Sequence, residues 1–170
     1  MDNLEDISIF ILTRYDGLRV IDAWGEKSFF YNPDNLLKRG IYFCTLKDKD
    51  GDNDKASQLN RNGVYRLNFG ISKQSFLNLF DSIPKRPAKG SCIKGEYLFT
   101  ELDKLTPHPV YGWMSWVSIL SPSNESWDKI EELLSESYVL VCKKYKAKKF
   151  ESGAQNDGRE YNSNVDFYLK

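Results

Sequence analysis

The chain reads as an α+β domain, an antiparallel sheet backed by helices on one face and ending in a long helix. Three observations predict this. Short β-branched and aromatic runs follow one another with helical segments inserted between them, the pattern of an antiparallel sheet with helices packed on it. Helical periodicity opens the chain, returns once in the middle and dominates residues 124–148. A length of 170 residues, 41% hydrophobic and 28% charged, is that of one ordinary folded domain. The aromatic content of 14% supplies enough large side chains for a core without disulfides or a structural metal.

In order, Leu4, Ile7, Ile11 and Leu12 recur at helical spacing, with Asp2 or Asn3 as the cap and Asp16-Gly17 as the stop. Leu18 to Ile21 and Ser28 to Tyr31 read as a hairpin turning at Gly25-Glu26. Ile41 to Leu46 is an unbroken strand. Residues 47–62 are polar and charged, and read as an exposed loop. Gly63 to Phe69 alternates with period two, as a half-buried strand does. Ser72 caps a helix through Phe80 that stops before Pro84. Residues 84–95 form a basic loop, Glu96 to Thr100 a short strand and Glu101 to Leu105 a helical turn. Pro107 to Gly112 is a stiff connector, because each proline fixes φ and removes a donor. Met114 to Leu120 is the next strand. Ser121 to Asn124 then starts the long helix, with Trp127, Ile130, Leu134, Ser137, Val141 and Tyr145 on one stripe and its end near Lys148. Residues 1–149 are expected to form the domain. Residues 150–170 are expected to be a flexible polar tail, apart from a strand at Val165 to Leu169.

Twenty-four basic residues balance 24 acidic ones, which argues against a protein that coats duplex nucleic acid through global charge. Three widely spaced cysteines, Cys44, Cys92 and Cys142, fit reduced thiols better than a disulfide framework. The apolar run Ile7 to Leu12 follows acidic residues and has no cleavage site, so it does not read as a signal peptide. No stretch approaches the roughly 20 apolar residues of a membrane span. A cytoplasmic protein without a membrane partner is the expectation.

The aspartates at 48, 50, 52 and 54 invite a calcium reading, since a hard cation takes about six to eight oxygens. A calcium-binding EF-hand loop starting at Asp48 would need Gly and Glu where Asn53 and Leu59 stand, so no metal is assigned. His108 is the sole histidine, which rules out histidine-based metal triads. It could serve as a general base, but its place between two prolines favours a hydrogen-bonded structural role. No glycine-rich phosphate loop or nucleophile elbow occurs, and no cofactor is implied. Two basic clusters remain. One is Lys85, Arg86 and Lys89; the other is Lys143, Lys144, Lys146, Lys148 and Lys149, a candidate nucleic-acid patch that the helix dipole would also favour. Lys47, Asp48 and Arg66, beside Tyr65, Tyr111 and Trp116, could line a cleft or an ordinary solvated sheet face.

Three segments carry a family resemblance: Thr45-Leu46-Lys47-Asp48; Ala56-Ser57-x-Leu59-x-Arg61-x-Gly63-Val64-Tyr65-Arg66-Leu67-Asn68-Phe69-Gly70; and Pro107-His108-Pro109-Val110-Tyr111-Gly112-x-x-x-Trp116-Val117. From about residue 4 to residue 147 the chain resembles the uncharacterised bacterial domain-of-unknown-function family 6194. It departs at Asn60 and Asn62, where that family tends to have Asp and Pro, and in the 84–95 loop and the tail. The layout is also similar to the YjbR/MmcQ-like fold, with Ser137-Tyr138 and Trp116 in matching places. The resemblance implies a compact α+β fold with a twisted antiparallel sheet. It implies little about activity, because that fold has been linked to DNA only by shape analogy.

These readings lead to a non-enzymatic binding module for nucleic acid or a protein partner. The alternative is a small-molecule or enzymatic site built from Lys47, Asp48, Arg66, His108, Tyr111 and Trp116. A third reading makes the Pro107 to Gly112 segment purely architectural.

Overall fold

The computed structural model describes residues 3–23 and 25–154. Helix α1 (Leu4–Arg14) is capped by Asn3, whose Oδ1 accepts the Asp6 amide at 3.0 Å. Strands β1 (Leu18–Ala23) and β2 (Glu26–Tyr31) form the expected hairpin, turning through Gly25 at φ +71°. Then come β3 (Ile41–Lys47), β4 (Arg66–Gly70), α2 (Lys73–Phe80), the two-residue β5 (Thr106–Pro107), a 3-10 turn (Gly112–Met114), β6 (Trp116–Leu120) and α3 (Asn124–Ala154). The six strands make one sheet in the order β1-β2-β3-β4-β6-β5, every named pair antiparallel.

Register sorts the sheet into two faces, since neighbours along a strand alternate. On one face, paired positions run Phe29–Cys44–Phe69–Val117 and Leu46–Leu67–Ile119, and all seven are buried. They pack with Ile7 and Ile11 of α1, Phe76 of α2 and Trp127, Ile130, Leu134 and Val141 of α3. All six residues of the expected α3 stripe are buried, including Ser137. Glu136 ties α3 to α2 by accepting the Ser72 amide at 2.9 Å and the Ser75 hydroxyl at 3.0 Å.

The other face is also buried, but it is polar. One rung of paired residues crosses five strands: Ser28, Thr45, Asn68, Ser118 and Thr106, each at most 7% exposed. Asn68 holds it together, donating Nδ2 to Thr45 Oγ1 at 2.9 Å and accepting Ser118 Oγ at 2.8 Å. The adjoining rung is Glu26–Lys47–Arg66–Leu120. Among the described residues, Asp54 and Ser57 lie over the second rung, and His108, Val110 and Tyr111 border the same side.

Several expected elements take other forms. Residues 47–62 are not a wholly exposed loop, because Ser57 and Leu59 are buried and Asp54 turns inward. They lie over a sheet face that needs cover, and their polar groups find partners there. Glu96 to Thr100 is not a strand and Glu101 to Leu105 is not helical. This stretch is irregular, and only Leu102 bridges to Leu120. Pro107, assigned to the connector, and Thr106 before it pair with β6 at the sheet edge, where a proline costs no inner ladder bond. Helix α3 runs past Lys148 to Ala154. The expected strand at 165–169 lies outside the described residues, as does Trp24. Among the described residues no helix is long and apolar enough to cross a membrane.

Candidate functional site

A cleft of about 580 Å³ opens on the polar face. A bulge in β3 shapes its wall. Phe29 pairs with Cys44 but Phe30 pairs with Tyr42, so Phe43 is an extra residue in β3. Such an insertion re-aims neighbouring side chains. Phe43 packs on Tyr15 and Tyr138 in the helix-side core, while Tyr42 stacks beside Phe30 and Trp116 and lines the cleft with Thr45 and Lys47. Gly70 leaves the space that the indole fills: a Cβ there would sit 3.0 Å from Trp116 Nε1.

The floor is a charge cluster. Arg66 is fully buried, and its guanidinium grips Asp54 with both Nη atoms, Nη1–Oδ1 at 3.1 Å, while Nη1 also donates to Ser57 Oγ at 2.7 Å. Lys47, 9% exposed, reaches the same carboxylate at 3.5 Å. Burial works to raise the Asp54 carboxyl, but the hydrogen bonds and charge of Arg66 outweigh it and hold the group at about 2. Asp54 therefore stays ionised throughout the neutral range. Close approach of the chain makes room for Lys47, since a Cβ on Gly51 would lie 3.0 Å from its Nζ.

His108 is 3% exposed and borders the cleft. Its Nδ1 accepts the amides of Val110 at 3.0 Å and Tyr111 at 3.1 Å, and its own amide donates to Trp116 O at 2.8 Å. An atom that accepts two N–H groups carries no proton, so the ring's proton sits on Nε2. Burial, with the charge of Arg66 adding to it, pushes the imidazole well below its usual pKa, so it is neutral at pH 7. The segment expected to be a stiff connector is thus wound around its histidine, and that winding places Tyr111 in the wall.

Of the candidate residues, Lys47, His108, Tyr111 and Trp116 line one cleft, and Arg66 lies behind Asp54 beneath it. Asp48 is not among them: it is exposed, and its amide donates to Gly25 O across the β1–β2 turn. Lys144, assigned to the helical lysine patch, instead reaches the cleft rim. At about 100° per residue, Lys143, Lys144, Lys146, Lys148 and Lys149 distribute around α3 and do not form one stripe. Lys149 pairs with Asp34 at 2.8 Å. Tyr42, Gly51, Asn53 and Asp54 carry the site without having been singled out for it. For Asp54 the available signal was a carboxylate in a segment that must fold back on a strand holding an arginine. Asp50, another aspartate of that loop, accepts the Leu59 amide at 2.9 Å. Among the described residues no three His, Cys, Asp or Glu side chains gather as a metal site would require.

No curated protein and no solved structure matches the chain. The model of one family does match, across residues 1–150. That span holds both sheet faces, the buried Arg66–Asp54 pair and the His108 turn, and it places the chain in DUF6194, a family of unknown function.

Proposed function

We propose that the cleft binds a small organic anion with a flat apolar body and one negatively charged end. The observation that carries this reading is the charge imbalance at the floor. Arg66, Lys47 and Lys144 stand against Asp54 and Glu26 around the cleft, so its charged groups carry one net positive charge, with Arg66 and Lys47 sharing Asp54 at the poorly solvated floor. Uncompensated buried charge is unfavourable, and an anion entering the cleft would offset it. Tyr42, Tyr111, Met114 and Trp116 offer apolar and aromatic walls for the rest of the molecule. The volume of about 580 Å³ lies within the usual span of small-molecule sites, roughly 300–1,000 Å³. His108 has no free basic nitrogen to abstract a proton, which favours binding over turnover. A reducing cytoplasmic setting suits the free thiols of Cys44, Cys92 and Cys142.

Nucleic-acid binding through Lys143 to Lys149 has less support, because these lysines spread around the helix. The YjbR/MmcQ-like layout adds only an analogy of shape. One pair of measurements separates the two. Thermal unfolding of the full chain is followed with millimolar 2-naphthoate or indole-3-carboxylate, and with the matching amides. Ligand at about 100 times Kd stabilises by about 2.7 kcal/mol, which is a rise of roughly 5–11 °C for a domain of this size. A rise with the acids alone supports the cleft. Equal responses to acids and amides, or none, would overturn it. So would duplex DNA binding that falls steeply with salt and is lost when Lys143, Lys144 and Lys146 all become Glu.

A further inference from the structure

We infer that His108 is a specificity residue of the cleft. Its Nε2–H is a fixed donor that, with the Lys47 ammonium, selects a deprotonated carboxylate as the ligand's charged end. The inference rests on the small-anion reading and names the head group it would take. Three observations carry it. The two amide bonds to Nδ1 fix the tautomer, so the ring offers the cleft a donor and never an acceptor. Among the described residues no group bonds Nε2. It is also absent from the fully enclosed polar atoms without partners, which are Arg66 Nε, Thr106 Oγ1 and Tyr145 Oη. Nε2 therefore keeps access to the space that the ring borders, which is the cleft. Finally, Lys47 borders the same space and carries donors only.

These two donors, beside an Asp54 carboxylate already bonded to Arg66 and Lys47, favour a head group that accepts. A carboxylate does so with two oxygens, and hydrogen bonds to a charged group are about twice as strong as neutral ones. A carboxamide offers these two donors one acceptor oxygen in place of two and brings no charge to the ammonium, so it binds less well. The arrangement therefore discriminates acid from amide by chemistry, whatever the flat body is.

The chain has one histidine, so imidazole nitrogen signals in an NMR spectrum come from His108 alone. Full-length protein with ¹⁵N-labelled histidine is titrated with 2-naphthoate at pH 7. The free protein is expected to show a neutral ring with its proton on Nε2, and bound 2-naphthoate should move the Nε2 signals far more than those of Nδ1. His108→Asn supplies the second arm. Its side-chain oxygen replaces Nδ1 as acceptor for the Val110 and Tyr111 amides, while the Nε2 donor is gone. This variant should unfold near the wild-type temperature yet bind 2-naphthoate roughly tenfold or more weakly, with its preference for acid over amide reduced. A ring protonated on Nδ1, or 2-naphthoate binding that leaves Nε2 unmoved and is unchanged in His108→Asn, overturns the inference and leaves the small-anion reading standing. If neither 2-naphthoate nor indole-3-carboxylate binds the wild-type chain, both fall.

Discussion

Asp54→Asn keeps the side chain's size and removes its charge, leaving Arg66 and Lys47 buried together without the carboxylate they share. Two routes give the magnitude. The carboxyl is held at about 2 against an ordinary 3.8, and such a shift corresponds to about 2 kcal/mol favouring the charged form in the fold. Breaking a buried ion pair by removing one partner costs about 3–5 kcal/mol. The loss is therefore set at about 2–5 kcal/mol, a fall in Tm of roughly 4–20 °C. Arg66→Met should cost less, because Lys47 remains beside Asp54 at 3.5 Å. Urea unfolding followed by circular dichroism gives both values, with an unchanged slope required for the comparison. The linkage has a definite sign. Asp54 stabilises the fold fully above its unfolded pKa and loses that contribution as pH falls towards 2, so wild type and Asp54→Asn should converge in acid. A loss under about 1 kcal/mol, a larger cost for Arg66→Met, or a gap that persists undiminished near pH 2 would refute the argument that this carboxylate offsets the two cations.

Three further outcomes follow from single contacts. Gly51→Ala places a methyl against the flexible end of Lys47; stability should change by about 0.5 kcal/mol or less, while the affinity for 2-naphthoate measured by calorimetry drops several-fold. His108 is neutral in the fold and titrates at about 6.5 when unfolded. Above that pH neither state holds the proton, and as pH falls below it the unfolded chain takes the proton first, so stability should fall with pH, by at most about 1.4 kcal/mol per unit. Equilibrium unfolding between pH 7.5 and 5 should show this slope in wild type and not in His108→Asn. Thr106 buries a hydroxyl with no partner. Thr106→Val should therefore be neutral or stabilising by up to about 1 kcal/mol in thermal unfolding, whereas Asn68→Ala, which breaks two buried bonds, should cost more.

The helix-side half of the fold was legible because its signals are local and periodic. Ile7 and Ile11, the α3 stripe, Asn3 and Ser72 all do what their spacing and chemistry imply. The cleft side was legible only in part. Ile41 to Leu46 is β-branched and aromatic without a break, so no alternation shows which residue faces which way. The bulge at Phe43 breaks the period at the place that decides whether Tyr42 reaches the site. Asp54 was read as one acid in a solvated run because its partner, Arg66, enters only when residues 48–64 fold over the sheet. Lys47, His108, Tyr111 and Trp116 of the cleft could be named from the sequence, but Tyr42 and the carboxylate that organises them could not.

The same geometry explains why a cleft lies on this face. A central strand buried on both sides usually reads as a continuous apolar run, since both faces are covered by helices. Here β4 reads Arg-Leu-Asn-Phe-Gly, with Arg66 and Asn68 fully or nearly fully buried. Polar groups buried on such a face need partners. The covering loops supply them through their own amides, hydroxyls and carboxylates, and Ser57 and Asp54 do so for Arg66. Loop cover packs less continuously than a helix, and the space left between the 48–56 segment and the His108 turn is the cleft. Arg66→Met removes the group that Asp54 and Ser57 partner and leaves the Thr45–Asn68–Ser118 bonds within the sheet in place. The variant should keep its helix-side core and far-ultraviolet spectrum while the 48–64 amides lose protection from hydrogen exchange. Protection retained there at wild-type levels would mean that the loop is held by something other than the polar face beneath it.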